Sequence, residues 1–361
     1  LRLIRLMIGA VVSLFCGGHR RRLSRRMADR PFAIGKRSLL LCSAAVMAAA
    51  SLSAGCSAVS SKPDSDDSQL KSSKRPVTLE NYNRTLQFEK IPQRAVSLNQ
   101  HTTEIMLALG LEERMAGTAY LDDEILPRFQ KPYDQIPVLA ERYPSFEVLL
   151  GAEPDFVIGR LSAFTDEKAG SLERLADSGI PAYVVQGTYA EHPGMEDVYE
   201  DIRNLGRIFD VESRAEKLIR QMKADIQKVQ NRVGDREKPV RVLVYDSGEK
   251  GLYTTGNSLE TELISLAGGK NVFSDLNKSW TEVGWEEAVK RNPEVIVIND
   301  YGHHSAEDKI RSIKENPALK HVTAVREERF VVLPLSDVFE GVRNVRAVKT
   351  LAKGFYPEQF R

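Results

Sequence analysis

From residue 77 onward, short apolar runs alternate with longer stretches in which apolar residues recur every three or four positions. Residues 94–99 (RAVSLN), 155–159 (DFVIG), 182–185 (AYVV), 240–245 (VRVLVY), 294–298 (EVIVI) and 330–333 (FVVL) read as buried strands. Between them lie helical patterns, such as Thr103 to Leu109, which opens on Thr-Glu and stops at Gly110. Strand–helix alternation of this kind predicts α/β architecture with parallel sheets.

The middle of the chain has a different rhythm. Val198, Ile202, Leu205 and Ile208 keep helical spacing, and so do Ala215, Leu218, Ile219, Met222, Ile226 and Val229. Asp210 and Ser213 offer a break and a cap between the two runs. A helix over residues 212–233 would be about 33 Å long, enough to run between two lobes; a helix lying flat on one domain has the same periodicity.

The two halves also echo each other. Thr103-Glu-Ile-Met-Leu-Ala-Leu-Gly110 answers Thr261-Glu-Leu-Ile-Ser-Leu-Ala-Gly268. Phe146-Glu147 followed by Pro154-Asp-Phe-Val-Ile158 answers Trp285-Glu286 followed by Pro293-Glu-Val-Ile-Val297. Two matches in the same order point to two related α/β lobes joined by a helix. The expected layout is an N-terminal lobe over 77–194, a helical segment over 195–233 and a C-terminal lobe over 234–361.

Charge separates a further piece. The chain of 361 residues carries 51 Lys and Arg against 50 Asp and Glu. Ten of those bases and one acid precede residue 39, so the remainder holds 41 bases against 49 acids, a net of −8. An acidic body gives no electrostatic reason to expect nucleic-acid binding. Arg30 to Arg37 is basic, residues 39–55 carry no charge, and Leu-Ser-Ala-Gly-Cys closes the run at Cys56. This order is that of a secretory signal, and the apolar part is short for a spanning helix.

Gly55-Cys56 resembles a bacterial lipobox, in which the signal is cut before a cysteine that is then lipidated; Ser53 stands where an aliphatic residue is preferred. An ordinary signal peptide cut near Ala54 is the alternative. Cys16 and Cys42 lie upstream, so Cys56 would be the single cysteine of the exported chain, with no partner for an internal disulfide. The chain starts on Leu1, and a true start at Met27 explains residues 1–26 better than a second functional segment. Residues 57–76, with seven serines, read as a flexible tether of about 25 Å reach. The address segment is therefore 1–55, and the lipidated cysteine with its tether 56–76.

Taken together, these motifs resemble the substrate-binding proteins of ABC importers for iron–siderophore complexes, haem and cobalamin. The resemblance covers nearly all of residues 90–345 and rests on Arg94-Ala-Val-Ser-Leu-Asn, Thr103-Glu-Ile, Leu109-Gly110, Glu147, Pro154-Asp-Phe-Val-Ile and Trp280-Thr-Glu-Val-Gly-Trp-Glu-Glu. It implies two lobes with central parallel sheets, one bridging helix and a ligand cleft between the lobes. It also implies a monomer without enzymatic activity or catalytic residues, without a resident cofactor, and with an ABC permease as partner.

The resemblance further implies site residues. Glu147 and Glu286, with Glu287 in reserve, match the acids by which such proteins dock on arginines of the permease; a pair of separated carboxylates sets orientation and on-rate. Tyr120, Tyr253 and Trp280 match ligand-facing aromatics, and Asp337 and Arg343 lie in the last ligand loop. Arg160, at the end of a strand, and Arg142 beside Tyr143 suit an anionic ligand; a surface ion pair with Asp166 or Glu141 is the alternative. His101 follows the first strand in a cleft loop. His101, His303 and His304 with Tyr301 could ligate haem iron or a bare metal, but the side chains of adjacent His303 and His304 diverge in an extended chain, and solvated loop histidines are the expected state. Some cobalamin binders carry an Arg where this chain has Gly341, which favours a ferric siderophore as ligand. Against an exported hydrolase stands the lack of a nucleophile elbow, an HExxH motif or a phosphate loop in the sequence; a structural surface lipoprotein would lack a closed cleft.

Overall fold

In the computed structural model, which describes residues 75–248 and 251–361, the chain first forms a hairpin. The signal region, Cys56 and nearly all of the tether lie outside those residues. Strands β1 (Val77–Asn81) and β2 (Arg84–Phe88) pair antiparallel, with Val77, Leu79, Leu86 and Phe88 turned to the core. Tyr82 and Asn83 both take left-handed backbone angles, φ 49° and 56°. Two such residues make the turn whose twist matches the flanking strands. The strand reading above passes over this hairpin, although its alternation is visible in the sequence. Asn81 pins it to the body by bonding both the N–H and the carbonyl of Val184.

Next come β3 (Ala95–Ser97), α1 (Gln100–Ala108), β4 (Met115–Ala119), α2 (Gln130–Tyr133) and β5 (Val138–Ala140), then α3 (Phe146–Gly151), β6 (Phe156–Gly159), α4 (Leu172–Asp177) and β7 (Ala182–Val184). Helix α1 begins three residues before the predicted start, because the hydroxyls of Thr102 and Thr103 fold back on the Asn99 carbonyl. The strands form one parallel sheet in the order β5-β4-β3-β6-β7.

Helix α5 (Met195–Phe209) stops where Asp210 turns left-handed at φ 59°. Helix α6 (Glu212–Val233) follows over the 22 residues its periodicity predicts. Its first turn has no side-chain cap, so Ser213 lies inside the helix instead of capping it. Beyond it run β8 (Val240–Tyr245), β9 (Leu252–Thr255), α7 (Leu259–Leu266), β10 (Gly269–Asn271), β11 (Trp280–Val283) and α8 (Trp285–Arg291). The last elements are β12 (Val295–Asp300), α9 (Ala306–Glu315), α10 (Thr323–Arg326), β13 (Phe330–Pro334) and α11 (Asn344–Phe355). Strands β10-β8-β12-β13 form the second parallel sheet, and β9 pairs with β11 in a separate antiparallel ribbon.

The sequence echo is therefore a shared topology. In both lobes the first strand of the parallel sheet is central, the strand after the Thr-Glu helix lies on one side, and two later strands extend the sheet on the other; in the second lobe β9 of the ribbon comes between β8 and that helix. The order β4-β3-β6-β7 matches β10-β8-β12-β13. Helix α6 buries Ala215, Ile219, Met222, Ile226, Val229 and Val233 along one face and packs on α5 and α11. One apolar cluster runs from Ile105 and Phe156 through Ile219 and Ile226 to Val242, Val297 and Val348. The two lobes thus share a continuous core along the helix, and separate clusters fill the outer face of each sheet.

Candidate functional site

Parallel strands deliver their loops to the carboxyl edge of a sheet, where ligands collect in open α/β folds. Here both sheets do so. His101, Tyr120, Arg160 and Gly187 follow β3, β4, β6 and β7; Asp246 and Tyr301 follow β8 and β12, and Phe339 and Glu340 follow β13. A cavity of about 130 Å³ lies among these loops, lined by Arg160, Gly187, Thr188, Glu260, Trp280 and Glu340, among others.

The floor of the cavity is polar and incompletely paired. Arg160 Nη1 lies 3.5 Å from Glu340 Oε2, yet neither atom has a hydrogen-bond partner. His101 Nε2 lies 3.9 Å from the same oxygen, and both ring nitrogens of His101 are also unpartnered. The Arg160 guanidinium sits 4.5 Å over the Phe339 ring. Burial, and then the charge of Arg160, hold the His101 imidazole well below its ordinary pKa, so it is neutral at pH 7. From the other side comes Glu260, in the first turn of α7 and 1% exposed. Its Oε2 accepts from Asn299 at 3.2 Å, while Oε1 has no partner. Burial pushes its carboxyl up to about 8 against the Asn299 bond, helped by the charge of Asp246.

The predicted aromatics form two groups beside this floor. Tyr120 packs against Tyr143 at 4.6 Å, and Arg142 covers the Tyr120 ring at 4.9 Å. The Tyr143 hydroxyl accepts from Asn99 at 3.1 Å, and the Asn99 side chain holds the Arg160 N–H, which ties this group to the cavity wall. Tyr253 and Trp280 stack at 6.0 Å on the β9–β11 ribbon. They occupy diagonal positions on one face of it, since Tyr253 pairs with Glu282 and Trp280 with Thr255.

Two predicted ligand residues lie elsewhere. Arg343 is 3% exposed and makes a two-pronged pair with Glu104 of α1 at 2.7 and 2.6 Å; its other donors reach Ser336 and the Glu124 carbonyl. Asp337 is buried against Arg346 and near Arg343. Both serve a buried ion-pair network that links α1 to the start of α11, because Glu104, fully buried, requires a counter-charge there. They do not line the cavity. The residue of that loop which does is Glu340, and together with Glu260 it is absent from the sequence-based candidates. Glu260 had one legible signal: an acid at the core-facing spacing of Leu263, Ile264 and Ala267. The loop after β13 carries two acids, and nothing in the sequence separates Glu340 from Asp337.

Glu147 and Glu286 each hold the second helical position, of α3 and α8, and both are exposed. Its own backbone N–H, then the Ser145 hydroxyl, lower the Glu147 carboxyl below its ordinary value. Arg174, 3.4 Å away, is its neighbour. Glu286 folds back over Gly284, and Glu287 pairs instead with Lys290 and Arg291. His303 and His304 are exposed, and Tyr301 donates to Asp246 at 2.5 Å. Among the described residues, no group of three or more His, Cys, Asp or Glu is placed to hold a metal, and no helix is long and apolar enough to cross a membrane.

Comparison with known proteins agrees with this architecture. Over 325 residues the chain is 27% identical to an uncharacterized ABC transporter substrate-binding lipoprotein of Bacillus subtilis, covering 88% of this chain and 97% of that one. Over 239 residues it is 25% identical to a vitamin B12-binding protein of Yersinia pestis, covering 66% and 80%. A crystal structure of a periplasmic binding protein from Veillonella parvula superposes with a TM-score of 0.73 at 32% identity, over 78% of this chain and 97% of that one. The profile described as periplasmic binding protein matches residues 96–336, two thirds of the chain. With its two like sheets, its shared helix and a polar cavity between their loops, the chain belongs to the periplasmic binding protein family, whose members bind solutes and are not enzymes.

Proposed function

We propose that this chain is the extracytoplasmic substrate-binding lipoprotein of an ABC importer, and that it captures an organic metal chelate of the iron–siderophore type. The supporting observation is the cavity lining, where Arg160, Glu260 and Glu340 each carry a buried polar atom without a hydrogen-bond partner, with His101 3.9 Å from Glu340. Buried polar groups are almost always satisfied, so an unsatisfied set facing one cavity marks a place for a ligand. Tyr120, Arg142, Tyr253 and Trp280 flank it with aromatic and basic surface suited to a flat or partly apolar chelate. Cobalamin is the second reading, favoured by the Yersinia relative.

In this reading the lobes span 77–194 and 234–361, and the helical segment 195–233 holds them in register. Glu147 and Glu286 meet the permease, and Cys56 carries the lipid that tethers the protein to the outer face of the cytoplasmic membrane. A tethered protein delivers its ligand without leaving the membrane surface, and two acyl chains hold it there stably. Native mass spectrometry against ferric siderophores, haemin and cyanocobalamin tests the capture role. A 1:1 adduct with one of them is expected. Adducts with none would remove the metal-chelate assignment.

A further inference from the structure

Outside the cavity, a groove runs along α6. Hollows of about 370, 320 and 470 Å³ follow one another there; the first two share Ala108, Leu218 and Gln221, and the last two share Asp225 and Val345. From Arg214 to Arg232 they track about 27 Å of helix. Ala108, Leu218, Met222, Val229, Val345 and Phe360 give the groove an apolar floor. Its rims are basic. Lys349 and Lys353 stand one turn apart on α11, and Arg128 and Lys217 line the groove further along; all four are exposed. Among the described residues, no acid pairs with any of these four. Arg214 donates to the carbonyls of Leu109 and Gly110, and Arg232 to those of Gln359 and Arg361, which leaves both charges uncompensated. Among the described residues of the lining, Asp225 is the one acid, and Lys228 already pairs with it. On a body whose net charge is −8, six uncompensated bases along one groove reverse the sign locally.

An apolar floor between unpaired bases calls for a partner that presents negative charge beside hydrocarbon. An anionic phospholipid does so, with its phosphate next to its acyl chains. The course of the chain brings such a partner near. Arg75, where the described chain begins, donates to the carbonyl of Ile208 in the last turn of α5 at 2.7 Å, and α6 starts at Glu212. The chain therefore enters the body beside the Arg214 end of the groove. With Cys56 as the lipidated residue, residues 57–74 have a reach of about 25 Å, comparable to the length of the groove. We propose that this groove rests on anionic phospholipids of the membrane that holds the lipid anchor, with headgroup phosphates on Lys349, Lys353 and Arg232 and hydrocarbon against Val229 and Val345. The groove and the interlobe cavity have no lining residue in common, so this contact leaves the residues of the cavity free for a ligand. Phosphatidylcholine, whose ammonium offsets its phosphate, gains little from such rims. Each base brought to an anionic bilayer raises partition about fivefold, and salt screens the effect.

This proposal rests on the reading of the chain as exported and membrane-tethered, and is independent of which ligand the cleft takes. The exported chain carrying Cys56→Ser, which has no acyl anchor, is sedimented with vesicles of phosphatidylglycerol and phosphatidylcholine in equal parts, and with vesicles of phosphatidylcholine alone. Partition onto the mixed vesicles should be at least about tenfold greater, and should fall at least about fivefold between roughly 0.1 and 0.5 M NaCl. Lys349→Glu combined with Lys353→Glu should lower it at least about tenfold. Lys278→Glu combined with Lys320→Glu makes the same change of net charge at exposed positions outside the groove, and should stay within about threefold of the parent. Circular dichroism confirms that each variant is folded. Equal partition onto the two kinds of vesicle, partition onto neither, or an equal loss in the two double variants would overturn the proposal. Any of these results leaves the capture role standing, because native mass spectrometry reads that role separately; a ligand panel without adducts beside intact vesicle binding would remove the metal-chelate assignment alone.

Discussion

At the scale of single residues, Glu260 has a consequence for stability that is independent of any ligand. Unfolded, its carboxyl ionises near 4.5; folded, it keeps its proton up to about 8. Between those values the folded chain binds more protons than the unfolded one, so this group's contribution falls as pH rises and is lowest above pH 8. Glu260→Gln removes that fall. Its melting temperature should match the parent at pH 4.5 and exceed it by about 5 °C at pH 8.5, read by differential scanning calorimetry. His101 acts in the opposite direction: its depressed pKa makes stability fall as pH drops below 6.5, the ordinary value of the imidazole. Arg343 is a different case, because its charge is matched. Arg343→Ala leaves Glu104 buried without its partner and should cost about 3–5 kcal/mol in chemical denaturation. Were Arg343 a ligand contact instead, the substitution would weaken binding and leave stability unchanged.

At the scale of elements, α6 is the piece through which the lobes depend on each other. Its buried face belongs to one cluster with residues of both sheets, so the lobes should not unfold separately. Ile219→Ala should lower stability by about 2–5 kcal/mol and shift a single calorimetric transition as a whole. Two separated transitions, with one unmoved, would contradict a shared core. This helix was legible in the sequence because eleven-residue windows of 3.6 periodicity say much about a long surface helix. Other features left weaker marks. The β1–β2 hairpin turns on Tyr82-Asn83, which lacks the Gly that usually advertises such a turn. The start of α1 was hidden because His101 and two threonines are modest helix formers, kept helical by burial. Among site residues, the places of Tyr120, Tyr253 and Trp280 beside their strands follow from the sequence, whereas the engagement of Arg343 and Asp337 in a buried ion-pair network does not. A buried ion pair joining positions more than two hundred residues apart leaves no local pattern to read.

For the whole molecule, the two lobes present matching corners and enclose one polar cavity. Glu147 and Glu286 sit at equivalent helix positions in the two halves of the echo, exposed and facing no shared partner. If these acids meet the permease as proposed, the double change Glu147→Lys and Glu286→Lys should leave ligand affinity within about twofold and reduce uptake by cells at least tenfold, because it reverses charge at two exposed positions and leaves the cavity lining untouched. Unchanged uptake would remove their role. The capture role itself depends on the cleft, and one of the two tryptophans of the chain lines it. The most direct test is a fluorescence titration of Trp285→Phe protein, in which Trp280 is the remaining tryptophan. Saturable quenching by one organic metal chelate at micromolar or lower concentration is the predicted result; a flat response to a chelate that native mass spectrometry shows bound would place the ligand outside the interlobe cleft and contradict the account.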